Sequence, residues 1–226
     1  GFGGENEGGV YHSFYDSYDH YSKYKDPGFA YGVTLAQTAG RAALRLSEAD
    51  ALPFDFTALH KTVKGYINEL MNNVEQMREK AKVENELVNT KAYAVAADPT
   101  EGLKLPTIVA DVPYIDFASI LNALTRLEKS AQQVEQIKTT ADAQKIAAIN
   151  AKIYTAEQKL LSETGLPRRP WFKHTIYAPG FYTGYGVKTV PGVREAIEQK
   201  NWPETKEQIT ETAKAIEKLS MFLDAL

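Results

Sequence analysis

Residues 117–137 read Phe-Ala-Ser-Ile-Leu-Asn-Ala-Leu-Thr-Arg-Leu-Glu-Lys-Ser-Ala-Gln-Gln-Val-Glu-Gln-Ile. Phe117, Ile120, Leu121, Leu124, Leu127, Ala131, Val134 and Ile137 recur mostly at spacings of three and four. That is the period of a helix with one apolar stripe and one polar face. A stripe of this length must be covered by other elements, and helices with matching stripes are the economical cover.

Matching stripes flank it on both sides. Upstream, Phe56, Leu59, Val63, Ile67, Leu70, Val74 and Met77 follow the same spacing, with Asp55 placed to cap the helix. Downstream, a helix is expected over about 143–163, carrying Ile146, Ile149, Ile153 and Leu160, with Gly165 as its C-cap. A short helix fits 193–200. The last helix opens at Pro203 and turns Ile209, Ala213, Ile216, Leu219 and Phe222 to one side. Residues 88–112 read as a loop with a short helix, and a further helix fits 29–47. The expected fold is mainly α: a four-helix up-and-down bundle with an irregular N-terminal part.

Two stretches break the pattern. Residues 1–50 begin glycine-rich and then carry six tyrosines between Tyr11 and Tyr31. Residues 166–192 are rich in proline, glycine and aromatics, and read as a loop. The expected division is residues 1–50 and residues 51–226, the second including that loop.

Bulk properties narrow the function. The 226 residues carry a formal charge of −3, which gives no reason to expect a nucleic-acid partner. No apolar run reaches the length of a membrane span. There is no cysteine, so disulfides, a thiolate nucleophile and thiolate-bound metals are excluded.

The histidines are His12, His20, His60 and His174. A zinc site needs three or four converging ligands, and no HExxH pattern is present. His60 is expected on a polar helix face, His20 packed among tyrosines or in solvent, and His174 in a structural hydrogen bond. His12 stands in Tyr11-His12-Ser13-Phe14-Tyr15-Asp16-Ser17, beside hydroxyls and a carboxylate. By itself that context fits a structural histidine at least as well as a ligand.

The run Tyr11 to Tyr18, followed by Asp26-Pro27, resembles the end of the catalytic domain in the glutamate carboxypeptidase II (folate hydrolase) family of zinc peptidases, which includes the transferrin receptor. The resemblance continues through Val33-Thr34-Leu35-Ala36-Gln37 and Leu52-Pro53-Phe54-Asp55. It resumes at Gly165-Leu166-Pro167-Arg168-Arg169-Pro170, Ile176-Tyr177-Ala178-Pro179 and Val190-Pro191-Gly192.

The resemblance implies that residues 1–50 are the remnant of an α/β peptidase domain and that 51–226 are a transferrin-receptor-like dimerisation domain. It implies that His12 is the last ligand of a two-zinc site, and that Tyr11 and Tyr185 bind a substrate carboxylate. Gly184 stands where glutamate-specific relatives have lysine, which leaves glutamate specificity open. The other zinc ligands and the general base of the family lie upstream of the segments matched here, so this chain alone is expected to be inactive. The implied partners are a second copy, the upstream catalytic domain and, in the parent, a peptide substrate. The implied location is periplasmic or secreted. Two alternatives remain: a non-enzymatic scaffold like the transferrin receptor, and a stand-alone helical interaction domain.

Overall fold

The computed structural model describes residue 10 and residues 12–98, 100, 102, 104–184 and 186–226. The chain divides into two compact units, one ending at Pro53 and the other spanning Phe54–Leu226. Among the described residues 65% of the structure is helical, and the sheet is a single two-stranded hairpin. The mainly α fold expected from the apolar periodicity is therefore the one that forms.

The first unit is organised by Asp26. Helix α1 (Tyr18–His20) runs into a wide π turn over Tyr21–Lys25, then a 3-10 turn over Pro27–Phe29, then helix α2 (Ala30–Ser47). The buried carboxylate of Asp26 accepts the backbone N–H of Tyr31 at 3.0 Å and of Gly32 at 2.8 Å, and the Tyr21 hydroxyl at 3.0 Å. It thereby satisfies N–H groups that the first turn of α2 would otherwise leave without acceptors. Burial opposes its charge, but the bonds from Gly32, Tyr31 and Tyr21 outweigh this and hold its carboxyl below the usual range. No residue of α2 is buried.

The second unit begins with helix α3 (Phe56–Asn89), capped by Asp55, whose carboxylate accepts the Ala58 N–H at 2.8 Å. Phe56, His60, Val63, Ile67, Leu70, Val74 and Ala81 form its buried stripe. The apolar pattern thus continues past Met77, and the helix takes in the first two residues of the loop predicted over 88–112. After the short helix α4 (Ala92–Ala96), the irregular stretch before Phe117 is fastened along the second half of α3. The Asn85 side-chain amide exchanges two hydrogen bonds with the backbone of Val109, at 2.9 and 3.0 Å. Arg78 donates to the carbonyl oxygen of Pro113 at 2.9 Å.

Helix α5 (Ala118–Thr140) runs antiparallel to α3. Its start lies near Arg78 by way of Pro113, and at its end Lys138 donates to the carbonyl of Phe54, just before α3. Helix α6 (Ala143–Ile153) is capped by Asp142. The helix expected over 143–163 is not continuous. It ends at Ile153 and is followed by a 3-10 turn, Ala156–Leu160. The Thr155 N–H and hydroxyl both bond to the Lys152 carbonyl, at 2.9 and 2.8 Å, which tightens the chain out of the α period. Gly165 is consequently not a C-cap.

Helix α7 (Pro191–Glu198) begins two residues earlier than predicted, with Pro191 in its first turn. Helix α8 (Trp202–Asp224) is capped by Asn201 and carries Pro203 in its first turn, as expected. It packs against α5, α7 and the 3-10 turn. Ile67, Ile120, Leu127, Ile149, Ile153, Ile216 and Leu219 lie fully inside the unit. Each such side chain contributes roughly 1.5–3 kcal/mol of apolar burial.

Candidate functional site

Residues 166–192 are more ordered than a proline- and glycine-rich composition suggests. Ser162 donates its N–H to the carbonyl of Lys173 at 2.8 Å, and Thr175 donates N–H and hydroxyl to that of Leu160, at 3.0 and 2.8 Å. These bonds close the stretch 161–174 into a loop against the 3-10 turn. Strands β1 (Tyr177–Pro179) and β2 (Val187–Thr189) then pair antiparallel, Ala178 opposite Lys188. The composition masked these strands because each is only three residues long.

The turn between the strands, residues 180–186, is fixed at both ends. The Gly180 N–H donates to the Gly186 carbonyl at 3.0 Å, and the Thr183 hydroxyl donates to the same oxygen at 2.9 Å. From α7, Glu195 Oε1 accepts the Phe181 N–H at 2.8 Å, while its Oε2 lies 2.9 Å from Arg169 Nη1. Arg168 and Arg169 stand 5.6 and 5.7 Å from the centre of the Phe181 ring. Arg168 also makes a two-pronged pair with Glu204 at 2.8 and 2.9 Å, and Lys188 reaches Glu198 at 2.6 Å. These contacts tie Phe181 to α7 and the neighbouring Arg168 to α8, and leave the Tyr182 ring exposed.

The Arg169–Glu195 pair was not foreseen. The two residues lie 26 positions apart, and nothing local in either segment signals that they meet. The available hint was the pair of arginines beside a proline in a loop, followed by a carboxylate on an amphipathic helix.

The predicted site residues fall as follows. Tyr11 and Tyr185 lie outside the described residues. His12 is exposed, in a turn with φ of 60°. No group of three or more His, Cys, Asp or Glu side chains able to hold a metal ion occurs among the described residues. The described residues therefore do not by themselves fit a zinc centre. His20 is half-buried beside the Tyr24 ring.

His60 corrects the expectation of a surface residue. It is buried at 6% exposure, and burial pushes its pKa down while Glu128 partly opposes this. The reason was present in the spacing: His60 follows Phe56 by four and precedes Val63 by three, which puts it on the apolar stripe.

His174 makes the structural hydrogen bonds expected of it. Its Nδ1 accepts the N–H groups of Ile176 at 3.2 Å and Tyr177 at 3.0 Å. Burial pushes its pKa down, and Glu157, 3.4 Å from Nε2, partly opposes the shift. Tyr177 lies beside it, with its hydroxyl 3.4 Å from that of Tyr66, and burial followed by that contact raises its pKa to about 12.

No helix among the described residues is long and apolar enough to cross a membrane.

Comparison with known proteins supports the resemblance read from the motifs. Residues 115–224 match the transferrin receptor-like dimerisation domain. A probable glutamate carboxypeptidase of Arabidopsis thaliana is 29% identical over 222 residues, covering 95% of this chain and 27% of the relative. One from Arthroderma benhamiae is 30% identical, covering 91% of the chain and 24% of the relative. Aminopeptidase NAALADL1 of Rattus norvegicus is 22% identical, covering 92% and 25%. The chain thus spans about a quarter of the length of the curated relatives it matches. Over most of its length the chain is similar to glutamate carboxypeptidase-like peptidases, and its residues 115–224 match the transferrin receptor-like dimerisation domain.

Proposed function

We propose that this chain is the assembly module of a two-zinc exopeptidase of the carboxypeptidase type, pairing with a second copy through its helical unit. The observation that carries this reading is the dimerisation-domain match, which covers α5 to α8. A two-fold pairing buries the same patch on both copies, so the surface must be self-complementary. Sedimentation or light scattering of the 226-residue chain tests the reading, with a dimer expected. A strict monomer at high concentration counts against it.

In this reading residues 1–50 close the peptidase domain and residues 51–226 form the dimerisation domain. His12 supplies one zinc ligand in the parent, whose other ligands and general base lie outside this chain. Tyr11 and Tyr185 bind a substrate carboxylate, and the 166–192 loop forms part of that pocket. The hydrogen bond from Phe181 to Glu195 of α7 supports such a role, because a binding loop held in place loses less freedom on contact. The parent works in the periplasm or outside the cell. This chain alone is inactive, and zinc-dependent peptide hydrolysis by the pure chain would overturn that statement.

A further inference from the structure

A cavity of about 200 Å³ opens in the second unit between the start of α3, the 3-10 turn and the segment His174–Tyr177. Its walls include Phe54, Phe56, Leu59 and Leu219, with the Phe54 and Phe56 rings stacked 6.3 Å apart. All the residues lining it belong to the unit Phe54–Leu226. Its volume suits a group about the size of a benzene ring.

The polar side of the cavity has a defined sign. Because His174 Nδ1 accepts two backbone N–H groups, the proton of the neutral ring sits on Nε2. That nitrogen is screened from solvent and has no well-aligned hydrogen-bond partner among the described residues. Glu157 Oε1 lies 3.4 Å away, on a side chain that is 77% exposed and beside a neutral ring. Asp55 adds a second carboxylate, and no lysine or arginine lines the cavity. Lys138, which acts on Asp55 by its charge, is not among the lining residues and is engaged by Glu135 and the Phe54 carbonyl. An apolar slot ending at a carboxylate that no lysine or arginine pairs among the described residues fits a cation on a small hydrophobic body.

We propose that this cavity binds a primary ammonium carried on a compact apolar group, with the ammonium at Glu157 and the apolar group between Phe56, Leu59 and Leu219. Both a free arylalkylamine and the amino-terminal residue of a hydrophobic peptide offer this chemistry. The site is independent of the assembly role proposed above.

The test is a ¹H–¹⁵N NMR titration of the 226-residue chain with 2-phenylethylamine, followed at the amides of Leu59, Glu157 and Ile176. Saturable shifts are expected, with Kd of about 1 mM for so small a ligand. Phenylacetate, equal in shape and opposite in charge, is expected to bind at least about ten-fold more weakly. Glu157→Gln, an exposed substitution that leaves the fold intact, is expected to weaken the amine about five-fold. Leu59→Trp is expected to fill the slot and abolish binding. A free-amino Phe-Ala-Ala amide compared with its acetylated form separates the sources: tight binding of the free form alone points to a peptide terminus, and binding of phenylethylamine alone points to a free amine. No saturation up to about 20 mM, or equal binding of phenylacetate, or an unchanged Glu157→Gln variant, would overturn the proposal.

Discussion

Arg169 and Glu195, 26 residues apart in the chain, meet as a buried pair with Nη1 2.9 Å from Oε2, their side chains only 3% and 6% exposed. Glu195 also accepts the Phe181 N–H, so one carboxylate joins the loop, the hairpin turn and α7. None of the three Arg169 side-chain nitrogens, Nη1 included, makes a well-aligned hydrogen bond among the described residues, so Glu195 answers the guanidinium by charge alone. Removing one partner of such a pair leaves an uncompensated buried charge. Glu195→Ala is therefore expected to destabilise the second unit by about 3–5 kcal/mol in urea denaturation. A loss below about 1 kcal/mol would show that water reaches the guanidinium.

The two glycines at positive φ in and near the loop differ in their surroundings. Gly165 has φ of +74°, and a Cβ there would meet the Pro170 carbonyl oxygen at 2.2 Å. Gly184 has φ of +57°, and a Cβ there would meet nothing within 4 Å. Gly184→Ala is expected to cost about 1 kcal/mol, from the left-handed backbone alone. Gly165→Ala pays the same conformational penalty and must also displace backbone, so its midpoint of thermal unfolding should fall well below that of Gly184→Ala. Equal midpoints would contradict the close approach at Pro170.

Acid should weaken the second unit through its two buried histidines. The folded pKa of both His60 and His174 lies below the unfolded value of 6.5. The folded state therefore holds the proton less tightly than the unfolded chain. Stability is complete above about pH 6.5 and falls as the pH drops toward the folded pKa values. Protonating His174 also turns Nδ1 from an acceptor into a donor facing two N–H groups. His174→Asn, which can offer an oxygen in place of Nδ1, is expected to reduce the slope of stability against pH between 6.5 and 5 while leaving the part due to His60. An unchanged slope in a series of denaturation curves would remove His174 from this account.

The N-terminus of α3 depends on one side chain. Asp55 Oδ1 accepts the Ala58 N–H at 2.8 Å and the Thr57 hydroxyl at 2.7 Å. Those bonds hold its carboxyl below the usual range. Asp55→Ala is expected to cost about 1 kcal/mol, and Asp55→Asn much less, since the amide oxygen still caps the helix. Equal losses would mean that the charge, acting on the helix dipole, matters more than the hydrogen bond.

Much of the second unit was legible because helices announce themselves locally. The stripe from Phe117 to Ile137 lies within a single element, and spacing alone gives its type and inward face. Asp55 and Pro203 likewise mark helix starts without reference to anything distant. The break at Thr155 was not legible, because the apolar pattern of Ile146, Ile149, Ile153 and Leu160 runs straight across it. His60 was legible and was placed on the wrong face, although its spacing to Phe56 and Val63 already put it inside.

The sequence by itself determined that the chain is mainly helical, where most helices begin, and which family its motifs resemble, since each rests on residues close together in the chain. Only the tertiary structure decided that the 166–192 loop folds into an anchored hairpin, that Arg169 meets Glu195, and that His174 and Glu157 border a cavity with the start of α3. Those relationships depend on side chains brought together from distant segments by packing, and no local pattern encodes which distant partner a buried charge or ring will find.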